Sequence, residues 1–273
     1  MLRSLRIPSF HRISVAVSLT CPRHPSHTIP PMARIIVLQH SPEGVPGRIG
    51  VTLRDHGLRL DVRRLDLLGA PALPTDLDDV AGVLSLGGPQ NVGESHDWMD
   101  AELAFLKAAH QAELPVIGVC LGSQLIAAAL GGDVAPMNRP EYGFAPVDVT
   151  IPGQTETILA GIPWRHEQFH AHGHEVTRLP DGATLLASSQ ACKVQAYRAG
   201  LRTFGFQFHF ECDRVMIGRM AERSRDELAA LGLSPEEIDR QASLHYERYA
   251  LVSDRLAVNL ATYCFPAVRL LAV

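Results

Sequence analysis

An apolar run that ends at one cysteine between two glycines and then turns helical constrains this chain more than any other stretch. Residues 116–124 read Val-Ile-Gly-Val-Cys-Leu-Gly-Ser-Gln. A strand ending at Val119 would deliver Cys120 into a tight turn. Gly118 and Gly122 leave room there for strained backbone and for a close-approaching substrate. The turn sets the sulfur at the start of a helix predicted over 124–130. The helix dipole favours a thiolate at that point, and free backbone N–H groups point at a developing oxyanion.

A thiolate alone does not cleave amides, because the leaving amine needs a proton and the imidazole that supplies it must be held in place. Residues 204–211 read Phe-Gly-Phe-Gln-Phe-His-Phe-Glu. This is an alternating strand pattern in which His209 and Glu211 fall two residues apart, on one face if extended. Taken singly, Cys120 could be a small buried hydrophobe and His209 a satisfied core histidine. Taken together and in this order, Cys120, His209 and Glu211 form a candidate catalytic set.

The remaining pattern agrees with an α/β fold that is doubly wound, with a mostly parallel sheet, a nucleophile elbow and a helical C-terminal tail. Residues 34–39 form a continuous apolar run of the kind a central parallel strand requires. Ile49, Leu53 and the closing Gly57 outline a helix, a strand follows near residues 60–62, and another over 82–86. Residues 98–112 read as an amphipathic crossover helix, and Asp97 and Glu102 near Trp98 read as a solvated helix face rather than a second carboxylate dyad. From 131 to 205 the periodicity becomes two, with β-rich segments at 147–151, 183–187 and 193–197. Residues 215–231 turn helical again. Ser234-Pro235-Glu236-Glu237 is a helix start, with Ser as N-cap and Pro at the first helical position.

Five motifs in sequence order resemble those of the class I glutamine amidotransferases, of the stand-alone kind similar to the glutaminase domain of GMP synthase. They are Ser85-Leu86-Gly87-Gly88-Pro89, Gly118 to Gln124, Glu141 to Val147, His172-Gly173 with Leu179 to Ala183, and Gly205 to Glu211. The resemblance covers about residues 34 to 215. It implies a Cys120 thiolate that attacks a glutamine or γ-glutamyl amide, with the N–H groups of Leu121 and Gly88 as oxyanion hole. His209 would protonate the departing amine and then activate water against the thioester, and Glu211 would fix its tautomer. Substrate contacts are implied at Gly87, Gly122, Gln124, Ala171 and His172, and no cofactor is required. Two departures stand out. Phe210 fills a place where many members carry Pro, and His170-Ala171-His172-Gly173-His174 replaces a Ser-His-Gly-Asp loop.

The chain has 273 residues, 46% apolar and 20% charged, and a net charge of −4. That allows one large core and is too short for two full catalytic domains. No basic stripe interleaved with aromatics is present, so nucleic-acid binding is not expected. Only Lys107 and Lys193 are lysines, and no phosphate-binding Gly-x-x-x-x-Gly-Lys occurs, so any ATP-dependent acceptor chemistry would reside on a separate synthase partner. Five cysteines without Cys-x-x-Cys spacing fit a reducing cytoplasm, and no segment reads as a membrane span. Cys212 lacks the glycines and helix start of Cys120 and reads as structural. Residues 1–31 carry four arginines, no acid and several prolines, reading as a disordered leader or as upstream read-through before Met32. The expected domain spans 32–232, and 233–273 is a helical extension.

His166, His170, His172 and His174 raise the question of a metal. In a strand, 170, 172 and 174 would share a face, yet no carboxylate at suitable spacing completes a site, so no metal is expected. The segment reads as a solvated or core-satisfied loop, with substrate-pocket contacts as the alternative. Three function classes remain open: a glutaminase whose ammonia passes to a synthase, a stand-alone γ-glutamyl hydrolase, and a non-catalytic binding module on the same scaffold.

Overall fold

A computed structural model describes residues 34–265; the expected leader of residues 1–31 lies outside them. In chain order the elements are β1 (Arg34–Gln39), α1 (Gly47–Asp55), β2 (Arg59–Arg64), α2 (Leu65–Leu68), β3 (Val80–Ser85), α3 (Met99–Gln111), β4 (Val116–Val119) and α4 (Leu121–Ala129). There follow β5 (Asp133–Val149), α5 (Ile151–Gln154), β6 (Arg165–Arg178), β7 (Thr184–Ser188), β8 (Ala196–Ala199), β9 (Thr203–Phe206), α6 (Arg214–Arg223), α7 (Arg225–Ala230) and α8 (Pro235–Tyr263).

All nine strands join one sheet in the order β2-β1-β3-β4-β9-β8-β7-β5-β6. Five strands, β2 through β9 in that order, run parallel. The other four continue the sheet by antiparallel pairing. Alternation along β1 sends Ile35 and Val37 into one core with Ile49 of α1 and Leu256 of α8. Ile36 and Leu38 enter a second core with Leu106 of α3 and Leu125 of α4 on the opposite face. Helices therefore cover both faces, and the carboxyl ends of β1, β3, β4 and β9 come together as the natural site for a ligand.

Three expectations shift. The alternating pattern over 204–211 forms a strand only to Phe206, because residues 207–212 turn back toward β6, where His209 N–H donates to the Phe169 carbonyl at 2.8 Å. The segment near 193–197 becomes strand only at Ala196, since Ser189 and Cys192 close a tight turn just before it. The helix expected over 215–231 breaks at Ser224, which ends α6 and begins α7. A serine hydroxyl competes for backbone groups and so marks a tolerable break.

Helix α8 begins as its sequence dictates, with the Ser234 hydroxyl accepting from Glu237 N–H and Pro235 in the first turn. It buries Tyr249, Val252, Leu256 and Leu260, and packs on α1, α6, β5 and β6. Among the described residues no helix is long and apolar enough to cross a membrane.

Candidate active site

Cys120 links β4 to α4 with φ +50° and ψ −109°, a conformation that L-residues rarely hold. Such strain persists only where the surroundings over-determine it. Here Cys120 N–H donates to the Phe206 carbonyl of β9 at 2.8 Å, and α4 sits hard against β3. A Cβ at Gly122 would overlap the Ser85 carbonyl oxygen, so only glycine lets the helix approach this closely. Gly122 thereby serves packing. It is not among the residues that line the cleft.

His209 and Glu211 arrive from the turn after β9. His209 Nδ1 lies 2.7 Å from Glu211 Oε1, and both side chains are almost fully buried. His209 Nε2 is buried without a hydrogen-bond partner among the described residues. Burial opposes a charge on this ring, but Glu211 and then Cys120 outweigh it and hold His209 well above its ordinary 6.5. Phe210 is buried against Phe206 and Phe208, with ring centroids 5.1 and 6.4 Å away. Packing thus fixes a turn that proline would otherwise stiffen. Tyr249 of α8 secures the same turn, its hydroxyl donating to the His209 and Cys212 carbonyls at 2.8 and 3.0 Å. The Cys212 thiol is fully buried and pushed up to about 12, which suits an inert core position.

Gly87 and Gly88 follow β3. A Cβ on Gly87 would lie 2.9 Å from His209 Cε1 and 3.5 Å from Cys120 Cβ, so this loop passes directly over the Cys–His pair. Gly88 lies against Leu121 and His40, and the N–H of Leu121, at the first position of α4, has no intrahelical acceptor. Cys120 Sγ is 3.8 Å from the Ala171 carbonyl oxygen of β6. Gln124 reaches from α4 to the His174 carbonyl at 2.9 Å and to Gln207 at 3.1 Å, tying β6 to the elbow. These parts line one cleft of about 1190 Å³, into which Cys120, His209, Gly87, Gly88, Gln124, Ala171 and His172 all face. At its rim Arg223 pairs with Glu43.

The profile of the family described as Glutamine amidotransferase class-I matches residues 48–215, well over half of the chain. The chain belongs to the class I glutamine amidotransferases. Among curated relatives, a glutamine-hydrolyzing GMP synthase subunit of Sulfolobus acidocaldarius is 35% identical over 169 residues, covering 60% of this chain and 87% of that protein. The full glutamine-hydrolyzing GMP synthase of Neisseria meningitidis is 33% identical over 139 residues, which cover 50% of this chain and only 26% of the relative. The crystal structure of a glutamine amido transferase from Methylobacillus flagellatus superposes with a TM-score of 0.76 at 28% identity, covering 86% of this chain and 94% of that one.

Two parts of this amidotransferase depart from what its sequence led one to expect. Glu102, expected on a solvated face beside the exposed Asp97, is fully buried. Its carboxylate lies 2.8 Å from His40 Nε2 and accepts from the Ser85 hydroxyl at 2.8 Å. The His40 carbonyl in turn accepts from Gln90 at 2.9 Å. This network joins the ends of β1 and β3 to α3 directly beneath Gly87-Gly88. The His170–His174 segment is not a solvated loop but the middle of β6, paired with β5 so that Glu141 lies opposite His172. The carboxylate that no local spacing supplied comes from this neighbouring strand. Glu141 Oε2 is 3.1 Å from His172 Nε2 and 3.8 Å from His170 Nδ1, and accepts from Gln195 at 3.0 Å. Burial raises Glu141, but the two histidines and Gln195 reverse this and hold it below its ordinary 4.5. Burial pushes His170 down to about 4 despite Glu141.

Proposed function

We propose that this chain hydrolyses the side-chain amide of glutamine through a thioester on Cys120 and hands the ammonia to a separate acceptor enzyme. The observation that carries the reading is His209, aligned by Glu211 on one nitrogen and left with a buried, unpartnered nitrogen beside Cys120 on the other. In this mechanism the Cys120 thiolate attacks the carboxamide carbon. The N–H groups of Leu121 and Gly88 receive the oxyanion, each donor contributing about 3–4 kcal/mol. His209 then protonates the leaving ammonia and afterwards draws a proton from water that attacks the thioester, with Glu211 stabilising the imidazolium. Gly87, Ala171, His172 and Gln124 form the wall that holds the rest of the substrate. A relative named as one subunit of a GMP synthase supports a separate partner, and a reducing cytoplasm is the compartment that suits a free thiolate.

Ammonia release from glutamine by the wild-type chain and by Cys120→Ser tests the proposal. Release is expected from the wild type and a loss of roughly ten-thousandfold or more in the variant. Equal turnover by the two proteins overturns it.

One observation favours a second reading. The cleft of about 1190 Å³ is larger than a single amino acid fills, and it extends to the Arg223–Glu43 pair. A γ-glutamyl peptide or amide would occupy that extra space, which makes a stand-alone γ-glutamyl hydrolase the competing activity.

A further inference from the structure

We propose that Glu141, His170 and His172 form a binding site for a divalent transition-metal cation of the zinc class, set in the wall of the cleft. Donors and acceptors point to it first. His172 Nδ1 lies 3.0 Å from the His174 carbonyl, which can only accept, so Nδ1 carries the hydrogen. In the neutral ring Nε2 is then a lone pair, and it faces a carboxylate oxygen 3.1 Å away. Two acceptors at that separation repel unless a positive species, either a second proton on the ring or a metal ion, sits between them. His170 adds a second ligand. Its ring is fully buried, neither nitrogen has a hydrogen-bond partner among the described residues, and Nδ1 faces the same Glu141 oxygen at 3.8 Å.

The ligand atoms of the three residues lie within 4.8 Å of one another. Two ligands at ordinary zinc distances around a tetrahedral ion stand about 3.4 Å apart, between the two separations seen here. Two imidazoles and one carboxylate suit zinc, cobalt or nickel and not the oxygen-seeking magnesium or calcium. The orienting shell is also present. The His174 carbonyl fixes the His172 tautomer, and Gln195 donates to Glu141. Three protein ligands leave a coordination position open, and the ion has a route in, because Glu141 and His172 both line the cleft. If the hydrolase reading above holds, an ion here occupies the wall that His172 offers to substrate, and it slows amide hydrolysis.

Calorimetric titration with Zn2+ tests the site in the Cys120→Ser background, which removes the competing thiol. One ion per chain is expected. His170→Ala and His172→Ala, each added to that background, should weaken binding by at least about tenfold. Co2+ should give the intensified visible bands of a low-coordinate nitrogen and oxygen site, lost in the same variants. His172 borders the cleft, so its variant decides the matter if His170→Ala, at a wholly buried position, fails to fold. Absent binding, or equal binding with and without His172, overturns the proposal. Binding seen only when Cys120 is present places the ion on the thiol and overturns it as well. Calorimetry reads the ion and not turnover, so a failure of the hydrolase reading stays distinct from a failure here.

Discussion

Cys120 holds its φ of +50° because three neighbours leave it no alternative: the β9 carbonyl bound to its N–H, the helix start beyond it, and the glycine packing of α4 on β3. Strain of this kind, of order 1–3 kcal/mol, fixes where the sulfur points. The role proposed for Glu211 is to align and charge-stabilise His209, so Glu211→Gln should preserve the fold and lower kcat by about 10²- to 10⁴-fold. Steady-state ammonia release checks this, and an unchanged kcat removes Glu211 from the machinery. A pH effect follows from the same pair. His209 is held above its unfolded value near 6.5, so its protonated ring contributes stability that is complete below that pH. The contribution is lost as pH rises through the raised value. Urea midpoints of the wild type should therefore fall on the alkaline side, and His209→Gln should flatten that limb. The cysteine, histidine and glutamate were legible because each stood at a break in a pattern, and a break in an apolar run is visible without knowing what packs behind it.

Helix α3 shows what the element scale adds. The positions Trp98, Glu102, Phe105, Leu106 and Ala109 follow helical spacing along one face, and all are buried. Glu102 thus stood in the apolar stripe, and its charge concealed what its spacing declared. Removing it strands His40 and Ser85 in the core, so Glu102→Leu should cost about 3–5 kcal/mol in chemical denaturation, and Glu102→Gln less. Because His40 backs Gly88, kcat should fall with stability in the leucine variant. An unaltered denaturation midpoint would detach this network from the oxyanion loop. Helix α8 acts on the other side of the cleft through the Tyr249 hydroxyl, which satisfies two carbonyls of the His209 turn. Tyr249→Phe leaves those carbonyls buried and unpaired, at about 1–3 kcal/mol, with kcat lowered more than KM is raised. The helix was legible from its Ser-Pro-Glu-Glu start; its hydrogen bonds to the His209 turn were not, since residues about forty apart carry no local signal of contact.

At the scale of the molecule the cleft is a meeting of two sheet halves. The parallel half presents Cys120, Gly87 and His209 at strand ends, as the alternation of strand and helix dictates. The antiparallel half contributes Ala171 and His172 from β6 and Glu141 from β5, and its register decides what the far wall offers. That register is set by pairing of twelve residues of the seventeen-residue β5 with β6, with an irregularity between Pro136 and Glu141, which is why the His170–His174 segment read as a loop while the elbow did not. The space beyond this wall, toward Arg223 and Glu43, is what distinguishes the two proposed activities. An enzyme that passes ammonia onward gains nothing from rapid hydrolysis by itself, so under the leading proposal the purified chain should turn glutamine over slowly and accelerate when a synthase partner closes the loop at Gly87-Gly88. A self-sufficient γ-glutamyl hydrolase should need no partner, and a leaving group larger than ammonia should exploit the cleft toward Arg223 and Glu43. Measuring kcat/KM for glutamine and for a γ-glutamyl dipeptide on the purified chain separates them. Under the leading proposal glutamine is the better substrate, and the ratio holds when Arg223→Ala opens the rim. A dipeptide preference above about tenfold, reduced by that same substitution, reassigns the chain to peptide hydrolysis, because a gain of about 1.4 kcal/mol in transition-state binding would then come from the part of the cleft that glutamine does not reach.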